Sequence, residues 1–92
     1  MSPFTTKTDW IDFKTLFEKS YPNYLAQLRN RHPELSESEE RLFLFLKLKL
    51  TRNETAVILG ISEDSVKKTR SRLRKRLVLE QEASLEEYVQ NF

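Results

Sequence analysis

Between Lys67 and Arg76 the chain reads KKTRSRLRKR, in which seven of ten side chains are Lys or Arg. Ammonium and guanidinium groups at that density neutralise and hydrogen-bond phosphate, and they can donate to the acceptor edge of a guanine. No other cluster promises chemistry. His32 is the only histidine, placed before Pro33 at an expected helix end, where a cap is its ordinary role. Glu39 and Glu40, like Glu86 and Glu87, are sequence neighbours. On a helix such neighbours point about 100° apart and form no paired-carboxylate site. There are no cysteines, no Gly-rich phosphate loop and no metal-ligand spacing. The expectation is a binding protein with no catalytic residue, no metal and no cofactor.

The elements that must position the cations can be read from their surroundings. At roughly 100° per residue, a helix over 63–77 gathers Val66, Leu73 and Leu77 into one apolar arc. Opposite lie Asp64, Lys68, Ser71 and Lys75, with Lys67 and Arg74 on one edge and Arg72 on the other. Arg70 falls beside the apolar arc, from which its guanidinium could reach Glu39, Glu54 or a phosphate. Immediately upstream stands Gly60, the only glycine of the chain, at the end of TRNETAVIL. Thr51 and Glu54 form a capping box for that shorter helix, whose Ala56, Val57 and Leu59 are expected inside. Ile61 is expected to plug the turn and Ser62 to cap the basic helix, with Glu63 and Asp64 favouring its positive end. Two helices joined through a glycine turn are a helix-turn-helix, whose second helix enters the major groove of DNA.

A run of surface cations is ordinarily just a solvated face, but here the charge is segregated. Residues 47–76 hold ten Lys or Arg against three acids, a net of +7, and the remainder six against eleven, a net of −5. The total of +2 hides a dipolar molecule, which is the electrostatic footprint of a nucleic-acid surface.

The rest of the chain supplies cover. LSESEERLFLFLKLKL alternates apolar and Lys residues at its end, as a strand would, yet its Ser36–Glu39 capping box and its length favour one helix running to Leu50. Leu42, Phe43, Leu46 and Leu50 can face the helix-turn-helix, leaving Leu44, Phe45 and Leu48 to be covered from elsewhere. Trp10, Phe13 and Phe17 recur at helical spacing, and a second helix restarting at Tyr21-Pro22 carries Tyr24, Leu25 and Leu28 as far as His32-Pro33. These aromatics read as core rather than as a base-stacking platform. SLEEYVQNF, with a capping box at Ser84 and Glu87, makes a short amphipathic helix whose Leu85, Tyr88, Val89 and Phe92 suit either its own chain's core or a second copy. The expected architecture is all-α: a small helical bundle in one unit, with an N-terminal helical extension over 1–33 and the helix-turn-helix domain over 34–92. No window of about 18 apolar residues occurs, and the first residues are polar, so a soluble, cytoplasmic chain without membrane contact is expected.

From Leu35 to Leu77 the chain resembles the LuxR-type (NarL-like) helix-turn-helix. The resemblance rests on Leu35, Glu39, Leu50, Glu54, Ala56, Leu59, Gly60, Ile61, Ser62, Val66, Lys67 and Leu77. Lys49 and Val78 stand where that family usually has glycine. The aromatic extension and the SLEEYV ending resemble DNA-binding output domains at the C-terminus of large multi-domain bacterial regulators. The resemblance implies a four-helix DNA-binding core and frequent dimerisation through the helix after the basic one, here 84–92. It implies groove contacts on Lys67, Lys68 and Ser71, and backbone contacts on Thr51, Arg52, Asn53 and Ser62 and along the rim at Arg72, Arg74 and Lys75. Lys67 or Lys68 could donate to guanine, and Asp64 could accept from cytosine; one good bidentate base contact gives about 1–3 kcal/mol of discrimination.

The expected partner is therefore double-stranded DNA, with control supplied by an upstream sensor region or a partner protein. Two alternatives use the same elements. One is the promoter-reading, polymerase-binding end of a sigma factor, although the chain lacks room for that factor's other domains. The other is a protein-interaction module that keeps the fold and does not bind DNA.

Overall fold

The computed structural model describes residues 7–79 and 83–92, with side chains from Trp10 onward. The first six residues of the expected extension, and residues 80–82, lie outside the described residues. Among the described residues six α-helices follow in order: α1 (Lys7–Ser20), α2 (Tyr24–Arg31), α3 (Glu37–Lys47), α4 (Arg52–Leu59), α5 (Glu63–Arg76) and α6 (Leu85–Asn91). No strand occurs among the described residues. The all-α bundle expected from the sequence is the fold.

Among the described residues, four helix starts are capped by a hydroxyl. Ser36, Thr51, Ser62 and Ser84 each accept a hydrogen bond from the backbone N–H three residues on, satisfying one of the four donors that a helix start leaves open. For α3 and α4 the box closes, because Glu39 and Glu54 reach back to the N–H of Ser36 and Thr51.

Three helices also end alike. The Leu50 N–H donates to the Phe45 carbonyl at 3.1 Å and that of Lys49 to Leu46 at 2.9 Å. The same pair of bonds recurs at Ile61 and Gly60, and again at Leu79 and Val78. This is the Schellman termination, in which the residue after the helix adopts a left-handed backbone. Gly60 does so at φ 68°, where no Cβ clashes, whereas Lys49 at φ 63° and Val78 at φ 54° do so with a side chain. The termination at Lys49 stops α3 at Lys47, three residues short of the expected Leu50. The period-two run over 46–50 is thus the last turn of a helix and its cap, not a strand.

At the centre lies α3. Leu42, Phe43, Leu44, Phe45 and Leu46 are all buried in succession, which a helix achieves only when it is covered on every side. On one side α5 presents Val66, Leu73 and Leu77, all buried as the apolar arc required. The aromatic extension covers another: the Phe13 ring meets Phe45 edge-on at 5.1 Å, and Trp10 packs under the Arg41 guanidinium at 4.8 Å. Tyr24 meets Phe43 and donates its hydroxyl to the Val89 carbonyl at 3.2 Å. Burial, with Tyr21 and Tyr88 adding to it, pushes that phenol well above the ordinary tyrosine range. The aromatics are core. Leu85 and Val89 of α6 are buried in the same cluster, so the stripe that suited either a core or a second copy packs on its own chain.

Several inward assignments are corrected. Val57 is 66% exposed, because Thr55 and Ala56 take the buried arc of α4 and Val57 lies across the helix from them. Ile61 is 42% exposed and borders the turn rather than plugging it, and Leu48 is exposed at the end of α3. The second helix begins at Tyr24, not Tyr21, because Asn23 before it is left-handed at φ 65°.

Candidate nucleic-acid interface

Helix α5 is fixed to the bundle by its apolar arc, and its opposite face is what remains outside. Lys67, Lys68 and Ser71, the expected base-reading residues, are all exposed on that face, as are Arg72 and Lys75. None of these four cations makes an ion pair within the described residues. Arg76, absent from the expected set, lines a shallow depression together with Arg72 and Lys75. It follows Lys75 directly and Arg72 by four positions, but at roughly 100° per residue it falls nearer the apolar arc than either of them.

Arg74 behaves differently from the rim residue expected. It is half-buried, and its Nη1 donates to the Ala83 carbonyl at 2.6 Å, tying α5 to the segment before α6. Arg70 pairs with Glu86 of α6, not with Glu39 or Glu54. The partner of Glu39 is instead Arg76, at 3.3 Å. Burial pushes the Glu86 carboxyl up, but hydrogen bonds from Arg70 and its own N–H, the Arg70 charge and the Ser84 hydroxyl outweigh this and hold it below the usual carboxylate range.

The expected backbone contacts Thr51, Arg52, Asn53 and Ser62 lie at the N-terminal ends of α4 and α5, which Glu63 of α5 brings together through Arg52 and Asn53 of α4. Each of them already makes a side-chain hydrogen bond within the chain. The Thr51 and Ser62 hydroxyls accept their cap N–H groups, and Ser62 also donates to the Ser65 hydroxyl at 3.1 Å. The Thr51 N–H, followed by its hydroxyl, holds the Glu54 carboxyl below its ordinary value. Arg52 Nε donates to one oxygen of Glu63 at 3.3 Å, and Asn53 Nδ2 to the other at 3.4 Å. This Glu63 link was missed in the sequence because it spans ten and eleven positions and exists only once α4 and α5 are crossed.

The face can therefore present ammonium, guanidinium and hydroxyl donors to an extended polyanion. No cluster of three or more His, Cys, Asp or Glu able to hold a metal occurs among the described residues, and no helix there is long and apolar enough to cross a membrane. No protein-family model, curated protein or solved structure matches the chain.

Proposed function

We propose that this chain binds double-stranded DNA sequence-specifically, with α5 in the major groove, as the output domain of a bacterial transcriptional regulator. The observation that carries this reading is the continuous exposed face of Lys67, Lys68, Ser71, Arg72 and Lys75, whose cations make no ion pair among the described residues, on a helix anchored by the buried Val66 and Leu73. Fixed, unpaired donors on one helix face suit a groove better than a flexible basic tail does. The resemblance of residues 35–77 to the LuxR-type helix-turn-helix supports the same assignment. In this reading Lys67, Lys68 and Ser71 meet base edges, and Arg72, Lys75 and Arg76 meet the backbone. The signal reaches the domain from an upstream region or a partner.

The test is affinity for a pool of random duplexes at two salt concentrations, for the wild type and a Lys67→Ala, Lys68→Ala variant, with sequencing of the retained fraction. Salt-sensitive binding with an enriched motif, lost in the variant, is expected. An absence of binding at low salt would sink the proposal and leave a protein-interaction module; co-purification with RNA polymerase core would favour the sigma-like alternative.

A further inference from the structure

Among the described residues, Glu63 is the one acid engaged on both carboxylate oxygens by side chains expected to meet DNA phosphates. Arg52 Nε reaches one oxygen at 3.3 Å and Asn53 Nδ2 the other at 3.4 Å. All three residues lie in the first turns of α4 and α5. Two acceptor oxygens held by a guanidinium and an amide is also how a backbone phosphate would be held there. The side chains are open to solvent, Arg52 at 46% and Glu63 at 47%, and an exposed pair of this kind is easily exchanged.

Resting on the DNA-binding reading above, we infer that Glu63 is a specificity-determining residue that acts as an internal substitute for phosphate. Its carboxylate holds Arg52 and Asn53 off the backbone of any duplex passing over the face. On a duplex whose bases fit Lys67, Lys68 and Ser71, α5 sits deeply enough in the groove to press a phosphate against the pair and displace the acid; on other duplexes the phosphate lies farther out, within reach of a freed Arg52 but too far to displace Glu63. On other sequences the acid stays in place and also repels the approaching strand. Glu63 thus weakens binding to non-cognate DNA more than to the cognate site.

Glu63→Gln removes the charge while keeping the shape, and frees Arg52. Non-cognate duplex should then bind about two- to five-fold tighter, the scale of an exposed ion pair, with cognate affinity changed less. The slope of log affinity against log salt on non-cognate DNA should steepen by about 1, as one further cation meets a phosphate. Charge removal alone would tighten binding too, so the effect must pass through Arg52: in an Arg52→Ala background, Glu63→Gln should no longer change the slope. Circular dichroism and melting of each variant establish that the fold is kept. An unchanged slope in Glu63→Gln, or the same change in the Arg52→Ala background, would overturn the assignment of Glu63 while salt-dependent binding that requires Lys67 and Lys68 keeps the DNA reading. A wild type that binds no duplex at low salt overturns both.

Discussion

Glu39 and Arg76 stand 37 positions apart in the chain and meet at 3.3 Å, the carboxylate 1% exposed and the guanidinium 52% exposed. The same Glu39 oxygen accepts the Ser36 N–H, so one buried acid both closes the start of α3 and pins the end of α5. The two partners are therefore unequal. Removing the guanidinium leaves a carboxylate buried without its cation, whereas neutralising the carboxylate leaves a guanidinium that water can reach. Arg76→Met should cost about 2–3 kcal/mol, below the range for fully buried pairs because one partner is solvated. Glu39→Gln, which keeps an oxygen for the Ser36 N–H, should cost about 1 kcal/mol. Chemical denaturation of the two variants checks the order, and equal losses would mean that Glu39 does not depend on its cation.

Lys49 and Val78 hold left-handed backbones that glycine adopts freely. A Cβ there costs about 1–2 kcal/mol, and a β-branched residue fares worst. Part of that gain is returned by the greater freedom of glycine in the unfolded chain. Lys49→Gly and Val78→Gly should each raise stability by about 0.5–1 kcal/mol, with Val78 the larger. Gly60→Ala should lower it by about 1–2 kcal/mol. Melting curves of the three variants decide this, and a destabilised Val78→Gly would show that the valine side chain, 86% exposed, does something the backbone argument omits.

Those two positions also show what the sequence makes legible. Hydroxyl caps, glutamates three residues on and the apolar spacing located α3, α4, α5 and α6, because each of these signals acts within one turn of helix. The left-handed ends at Lys49 and Val78 carried no local signal, since neither residue type favours that backbone. The exposed side of α5 was readable for the same reason as its buried side: Val66 and Leu73 fix the rotation of the helix and hence where Lys67, Lys68 and Ser71 must point. What escaped were pairings between helices, Arg70 with Glu86, Arg76 with Glu39 and Arg52 with Glu63. Long side chains choose among several acids within reach, and that choice depends on crossing angles that periodicity does not contain.

The Arg70–Glu86 pair has a pH signature. A carboxyl held below its ordinary value of 4.5 contributes stability that is complete above that value and is lost as the pH falls through the lowered one. Between about pH 6 and pH 3 the wild type should therefore lose more stability than Glu86→Gln, which has no such proton to gain. The difference should be a few tenths of a kcal/mol, because the Glu86 side chain is 54% exposed and water screens the pair. Denaturation midpoints of both proteins at the two pH values measure it. Parallel losses would mean that the pair contributes nothing to the docking of α6.

Leu73 and Lys68 lie five positions apart on α5, one fully buried and the other exposed, and they separate fold from function. Leu73→Ala opens a cavity against α3 and should cost about 2–5 kcal/mol. If DNA binding survives in the folded fraction of that variant, its weakening should track the population unfolded. Lys68→Ala touches no core contact, so its melting curve should match the wild type within about 0.5 kcal/mol. Its discrimination among duplexes should nevertheless fall, because it removes a donor from the face proposed to meet base edges. Competition binding between an enriched duplex and random duplex, run beside thermal melts, reads both quantities on each variant. A Lys68→Ala protein that melts normally and still prefers the enriched duplex by the wild-type ratio would remove Lys68 from base reading and shift that role to Lys67 and Ser71.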